Sequence, residues 1–308
     1  MEPVERLYLD ALMEDPAVPE RSLRPQLLAG ARARRRPATP TAAWAEPFAG
    51  RVAAMDALLA SAVDDDWSRV IVEGWTLQEL VAHLAAKDGL LAASIGAPVL
   101  GPPLGATSAV GRTSDVQAYE RARSPEQTRR DWRAQADALC RHLAGLSPDT
   151  PATLDGMSAA VRDHVLARCL ETWVHTDDAA RTARVRLPHP VPEHIHPTAD
   201  LCARLLPWTM LLSGLDGSGR TVLLTLTGDG GGEWHVPLGG EGSGVLEFDA
   251  WREGDGWRRA DARITADVVS FCFLLGGRGD PSSFAADLSG DLSLARDVLS
   301  SAPALSGP

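Results

Sequence analysis

Glu171 and His175 are the residues whose types and spacing most clearly suggest chemistry. They lie four positions apart in a segment, residues 157–187, that contains neither glycine nor proline and is typical of a helix. This spacing places both side chains on one helix face, roughly 6 Å apart along the axis. A carboxylate and an imidazole so arranged can each give one ligand to a single metal ion.

The same helix face carries further polar residues. At about 100° per residue, His164, Arg168 and Asp178 fall within one arc with the pair described above. Such a stripe is also typical of the solvated face of an amphipathic helix, with Cys169 and Trp173 on the buried side. The helix alone therefore leaves both interpretations open.

A second segment supplies His83. Thr76 and Glu79 form a capping box that predicts the start of a helix, because each side chain can bond the other residue's free backbone amide. His83 follows at the margin of the apolar face of this helix. By itself it is better explained as a histidine at the edge of the core, with its ring N–H bonded to a carbonyl.

Four long amphipathic helices are predicted to position these residues, over residues 41–63, from 76, from 124 and over about 158–184. Apolar side chains spaced by four, three and four positions mark the core side of the first and third helices: Phe48, Val52, Met55, Leu59 and Trp132, Ala136, Leu139, Leu143. The pattern predicts a four-helix bundle, in which metal sites are built from side chains on facing helices.

The pattern changes after Pro188. A proline-rich linker over 188–197 and a helix over 199–212 precede strand-like runs at 221–227, 233–238, 244–251 and 260–265. Helices over 266–275 and 292–300 complete an α+β half with an antiparallel or mixed sheet. We expect an N-terminal helical extension at 1–40, a helical metal-binding domain at 41–186 and a C-terminal domain at 187–308.

Composition bounds the class of protein. The net charge of −11 argues against a general binder of nucleic acid or anionic membranes. The N-terminus lacks the pattern of a secretory signal, and no apolar run reaches the length of a membrane span, so a cytoplasmic location is expected. The four isolated cysteines predict buried, reduced thiols. Arginine provides all but one of the 30 basic residues and asparagine is absent, which indicates a high-G+C bacterial genome.

Two motifs carry a family resemblance. His83 in His-Leu-Ala, after Gly74-Trp75-Thr76, and the run Glu-Thr-Trp-Val-His that starts at Glu171 resemble signatures of the mycothiol-dependent maleylpyruvate isomerase family. The resemblance covers about residues 41–186, and 266–291 is similar to the C-terminal domain of that family. It implies a DinB-like metal-binding four-helix bundle followed by a small sterol-carrier-like α/β domain. Residues 1–40 depart from the family pattern.

The resemblance also implies a ligand set. His83, Glu171 and His175 would hold a divalent metal, with zinc favoured, and leave a fourth position for water or a thiol. A thiol bound there would lose its proton, so a thiolate nucleophile would exist at neutral pH.

Supporting roles are expected for three more residues. Asp178 would accept the second ring N–H of His175, and its alternative is an exposed helix carboxylate. Arg168 would bind a carboxylate of the substrate or of the thiol cofactor, and Arg278 would bind a substrate anion. For both arginines the alternative is an ordinary surface position. His164 is interpreted as structural.

The expected function is that of a metal-dependent thiol transferase or cis–trans isomerase. It would use mycothiol as cofactor or co-substrate and act through a metal-bound thiolate on a small electrophilic substrate that carries a carboxylate. Two alternatives stay open: a non-haem iron enzyme on the same two-histidine, one-carboxylate site, and a non-catalytic protein that binds a small ligand. The chain is expected to be a monomer or a homodimer.

Overall fold

The computed structural model describes residues 36–106, 108–239 and 260–306. Within them, residues from Ala38 onwards belong to one compact unit that mixes helices and sheet. Most of the predicted N-terminal helical extension, residues 1–35, and the predicted strand at 244–251 lie outside the described residues. No helix of the described part is both long and apolar enough to cross a membrane.

The N-terminal half of the described chain is mainly helical. Its elements, in chain order, are α1 (Glu46–Leu59), α2 (Asp64–Trp67), β1 (Val70–Val72), β2 (Trp75–Thr76), α3 (Leu77–Ser94), α4 (Ala109–Glu120), α5 (Pro125–Leu143), β3 (Pro151–Leu154), β4 (Met157–Ala160) and α6 (Val161–Thr182). The predicted apolar stripes of α1 and α5 are buried in one core that also includes residues of α3 and α6. The periodic apolar residues therefore identify the buried faces of these helices correctly.

The capping box predicted at the start of α3 is confirmed, and α5 begins with another. The Thr76 hydroxyl accepts from the Glu79 amide at 3.3 Å, and the Glu79 carboxylate accepts from the Thr76 amide at 2.9 Å. Ser124 and Gln127 form the same reciprocal pair before α5. These contacts satisfy backbone amides that a helix start leaves free, so they fix where each helix begins.

Two local predictions are corrected. The first helix, predicted over 41–63, ends at Leu59, and Asp64 begins a separate short helix, α2, because three acidic residues suit the positive end of a helix dipole. The helix expected from 158 starts at Val161, because residues 151–160 form a hairpin. Asp155 and Gly156 make its tight turn with φ of 49° and 80°, a conformation that an Asp-Gly pair favours.

The helix α4 is absent from the sequence-based prediction. Its buried residues are mostly polar, so no apolar stripe marks it: Arg112, Thr113, Val116, Gln117 and Glu120. The Ser108 hydroxyl caps the start by accepting from the Gly111 amide, and this was the available local signal.

The C-terminal half combines helices with a sheet. Its elements are α7 (Pro192–Leu212), β5 (Thr221–Thr227), β6 (Gly232–Pro237), β7 (Ala262–Asp267), α8 (Val268–Leu275), β8 (Ala286–Gly290) and α9 (Leu292–Ser301). Within the described residues the strand order is β6-β5-β7-β8, with β5 and β7 parallel and the outer pairs antiparallel. The sheet is mixed, which is one of the two predicted alternatives, although β8 was not predicted.

The segment interpreted as a linker is partly helical. α7 begins at Pro192, where a proline suits the first helical turn because it needs no hydrogen bond for its missing N–H. Leu170, Trp173 and Val174 of α6 belong to the same hydrophobic core as α7 and the sheet. The division into domains at 41–186 and 187–308, and their DinB-like and sterol-carrier-like character, therefore remain proposals.

Candidate metal centre

Three side chains from two helices converge. His83 of α3 and Glu171 and His175 of α6 each offer one ligand atom, and these atoms lie within 4.8 Å of one another. Both histidines are buried, and the Glu171 side chain is 25% exposed. The structure thus brings together the three residues that the family resemblance implies as ligands, from segments 88 positions apart.

His83 is held at both ring nitrogens. Its Nδ1 lies 3.1 Å from the Thr113 hydroxyl, and its Nε2 lies 2.7 Å from Oε1 of Glu171. The ring also contacts Trp75, with 4.8 Å between ring centroids. The alternative of a core-edge histidine bonded to a carbonyl is not what the structure shows. Burial lowers the pKa of His83 despite the Glu171 carboxylate, which favours the neutral form that metals bind.

Glu171 is kept ionised by its neighbours. Its Oε2 contacts the Arg168 guanidinium, which is itself buried and donates from Nε to Oδ1 of Asp88 at 2.9 Å. Burial alone would raise the pKa of Glu171, but the charge of Arg168 and the hydrogen bond with His83 outweigh it and hold this pKa well below its usual value. Arg168 is therefore not a surface residue: it bridges two carboxylates behind the three-ligand cluster.

His175 and Arg278 meet at Asp178. The Nδ1 of His175 lies 3.3 Å from Oδ2 of Asp178, and Nη2 of Arg278 donates to the same oxygen at 2.6 Å. Burial would raise the pKa of Asp178, but the hydrogen bonds from His175 and Arg278 lower it overall. This is the contact expected if Asp178 orients the His175 ring, and it rules out the alternative of an exposed carboxylate, since only 10% of the side chain is accessible.

The donor set fits a divalent metal. Each histidine has Nδ1 next to an oxygen of Thr113 or Asp178, an arrangement that leaves Nε2 as the ligand atom. Two neutral imidazoles and one carboxylate suit zinc and also non-haem iron. Within the described part of the chain, this is the cluster of histidine, cysteine and acidic residues whose donor atoms are close enough to share an ion.

A cavity of about 510 Å³ opens onto these side chains. His83, Glu171 and His175 line it together with Arg168 and Arg278. His164 also lines it, while its Nε2 is bonded to the carbonyl oxygen of Ala152, in agreement with a structural interpretation. The polar arc of α6 is thus a cavity wall, and the solvated-face alternative is wrong, since His175 is only 6% exposed.

Part of the helical half matches a known protein family. Residues 48–180 match the family model described as the mycothiol maleylpyruvate isomerase N-terminal domain. These residues are therefore similar to that domain. The matched range contains His83, Glu171 and His175, whereas Arg278 lies outside it. The family predicted from the two sequence motifs is confirmed for this part of the chain.

Solved structures give a weaker similarity over a longer range. Two crystal structures titled as the mycothiol-dependent maleylpyruvate isomerase, one of them a histidine-to-alanine mutant, are 16% and 15% identical to this chain. They cover 80% and 79% of this chain and 91% of their own chains, each with a TM-score of 0.48. No curated protein sequence matches the chain.

Proposed function

We propose that the protein is a metal- and mycothiol-dependent enzyme that isomerises, or transfers a thiol to, a small electrophile bearing a carboxylate. The observation that carries the proposal is the convergence of His83, Glu171 and His175 on one cavity wall, inside the range that matches the family domain. The cavity volume of about 510 Å³ falls within the range of small-molecule sites.

The three ligands would hold a divalent cation, and we favour zinc. A cation held there would lower the pKa of a coordinating thiol, so that the thiolate would be available at neutral pH. The chain's own residues supply the positioning: Thr113 and Asp178 fix the two rings, and Arg168 keeps Glu171 ionised. The buried side chains His83, Arg168 and His175 on the cavity wall limit the access of water, which strengthens these charge interactions.

The proposed isomerisation needs no oxidant, reductant or other reactant besides the thiol. A thiolate adds to one carbon of an electron-poor double bond, and the electron pair moves to the activating carbonyl group. Rotation about the resulting single bond and loss of the same thiolate give the other geometric isomer and regenerate the thiol. If a proton is added before the thiolate leaves, the adduct is the product, and the reaction is a thiol transfer.

Elemental analysis of purified variants tests the metal site. We expect about one metal ion per chain in the wild type and a large loss in His83→Ala, Glu171→Ala and His175→Ala. His196→Ala is the matched control, because His196 lies outside the cluster and its Nδ1 bonds with the Gly231 carbonyl. Equal metal content in all five proteins would show that the assignment is wrong.

The activity is tested on the same proteins. With maleylpyruvate as a first electrophile, we expect conversion that requires mycothiol and is lost in Glu171→Ala but not in His196→Ala. Iron in the purified protein, together with thiol-dependent oxygen consumption, would favour the non-haem iron alternative. Binding of mycothiol without any turnover of electrophiles would favour the non-catalytic alternative.

A further inference from the structure

The cavity extends along α6. Residues that line it run from His164 to His175, which is about 16 Å along a helix axis. Glu171 and His175 mark one end. His164 marks the other, where its Nε2 lies 3.1 Å from the carbonyl oxygen of Ala152 in the β3–β4 hairpin. The metal cluster therefore lies at one end of an elongated space.

The end near the hairpin carries apolar side chains beside the polar groups of Asp163 and His164. Four apolar side chains from the β3–β4 hairpin and α7 line the cavity there: Leu154, Met157, Leu201 and Leu205. The Arg204 guanidinium holds α7 against this end of α6 by an ion pair with Asp163 at 2.6 Å. An apolar group placed along these side chains would be removed from water, which is favourable in proportion to the area buried.

Three cationic side chains line the cavity, and two of them have carboxylate partners at hydrogen-bond distance. Arg168 is paired with Asp88 and Glu171, and Arg278 is paired with Asp178. The third is Lys87, whose Nζ lies 4.0 Å from Oε1 of Glu171, and among the described residues no hydrogen bond to this ammonium is found. Its side chain is 27% exposed, so a ligand can reach it.

Lys87 lies between the metal cluster and the apolar end. On α3 it follows His83 by one turn and precedes Leu90, and all three line the cavity. Helices α3 and α6 run in opposite directions, because Glu171 contacts His83 while the earlier Arg168 contacts Asp88. Moving along α3 from His83 to Leu90 therefore leads towards the hairpin end of the cavity.

Resting on the proposed function, we propose that Lys87 binds a carboxylate of the electrophile and that this electrophile is amphipathic. Its carboxylate lies next to the reactive carbon at the metal cluster, and an apolar body of several carbons extends past Leu90 towards Met157 and Leu205. The inference adds a specificity residue and a substrate class: unsaturated carboxylates with an apolar extension.

The sequence offers a direct test, because Lys87 is the only lysine. Reductive methylation with ¹³C-formaldehyde labels Lys87 and the α-amine and retains the positive charge. Titration with octanoate should shift the Lys87 methyl resonance to saturation and leave the α-amine resonance unchanged. Butyrate should bind at least tenfold more weakly, because it lacks four methylene groups. Equal affinity for the two acids would overturn the apolar part of the proposal.

Substitution tests the charge. By calorimetry, Lys87→Gln should weaken octanoate binding by roughly tenfold or more, and Lys87→Arg should retain most of it. Arg296→Gln, which removes an exposed positive charge on α9, should bind like the wild type. Unchanged octanoate affinity in Lys87→Gln would show that this ammonium is not the anion site.

A further variant separates this proposal from the proposed function. His175→Ala should lose metal and thiol-dependent activity but keep the octanoate-induced shift of the Lys87 resonance. If the shift disappears with the metal while Lys87→Gln still binds octanoate, the carboxylate binds the metal and the Lys87 assignment is wrong. If octanoate binds at Lys87 in a wild-type protein that has no thiol-dependent activity, the proposed function fails and the anion site stands.

Discussion

Replacement of Arg168 by methionine provides a quantitative test of the buried charge network. Arg168 is 3% exposed and donates to Asp88, which is 0% exposed, at 2.9 Å. Methionine retains an unbranched apolar stem but removes the charge and the hydrogen-bond donors. Asp88 would then be a buried carboxyl group without its cation, while Glu171 would keep its contact with His83.

The loss in free energy of unfolding that Asp88 contributes in Arg168→Met has an upper bound, because Asp88 can take up a proton. Burial already raises the pKa of Asp88, and the charge of Arg168 opposes that shift. Protonating a carboxyl with an unfolded-state pKa near 3.9 costs about 1.36 kcal/mol per pH unit above that value. The Asp88 contribution to the penalty is therefore at most about 4 kcal/mol at pH 7 and about 1.5 kcal/mol at pH 5.

The sign of the pH dependence follows from the direction of the shift. A carboxyl group whose folded-state pKa lies above its unfolded-state value destabilises the fold increasingly as pH rises above the unfolded value. Loss of Arg168 raises the folded-state pKa of Asp88 further, since the opposing charge is removed. We therefore expect Arg168→Met to lower the free energy of unfolding more at pH 7 than at pH 5.

Urea denaturation of chelator-treated protein at pH 5, 6 and 7 measures this penalty without a contribution from metal binding. The double variant Arg168→Met/Asp88→Asn should recover most of the loss at pH 7, because no buried charge is then left unpaired. Arg296→Met, on the exposed side of α9, is the control for removal of an arginine charge. An equal penalty at all three pH values, or a double variant less stable than Arg168→Met, would refute the reasoning.

Three further outcomes are expected from the same structure. Thr113→Val and Asp178→Ala each remove a partner of a candidate ligand ring, so zinc affinity measured against a competing chelator should fall about 10- to 100-fold; unchanged affinity would contradict the positioning role. Zinc at about 100 times its Kd should stabilise the wild type by about 2.7 kcal/mol and raise its Tm by roughly 5 °C in scanning fluorimetry, but Glu171→Gln should show no such rise. Burial raises the pKa of Cys140 to about 12 and of Cys169 to about 11, so a chromogenic disulfide should not react with them at pH 8 until urea unfolds the chain; rapid reaction in native protein would contradict this.

Local patterns in the sequence are sufficient to predict much of the helical half. The capping pairs at Thr76 and Ser124 and the apolar spacing after Phe48 and Trp132 depend on residues within one or two turns. Glu171 and His175 share a helix face for the same local reason. Their interaction with His83 depends on helix packing, and the family resemblance, not the spacing, connected the two segments.

The contacts that complete the site join residues far apart in the sequence or come from α4, a helix that no apolar periodicity identifies. Thr113 lies on α4, whose buried side is polar, so hydrophobic periodicity could not identify either the helix or the partner of His83. Arg168 and Asp88 are 80 positions apart, and Arg278 and Asp178 are 100 apart. A single sequence shows that these residues are charged but not that each meets its counter-charge inside the fold.

The charges around the cavity form a balanced set, and this balance bears on what the cavity binds. Six charged groups near the ligand cluster form two sets of ion pairs. Lys87, Asp88, Arg168 and Glu171 make up one set, and Asp178 and Arg278 make up the other. Their formal charges sum to zero. Stability alone is a weak explanation for such a set, because buried ion pairs are often no more stable than apolar residues of similar volume. A divalent cation would leave the set with two positive charges. One thiolate and one substrate carboxylate would restore neutrality, and we infer that the site is complete when it holds the cation, the thiolate and an anionic electrophile together.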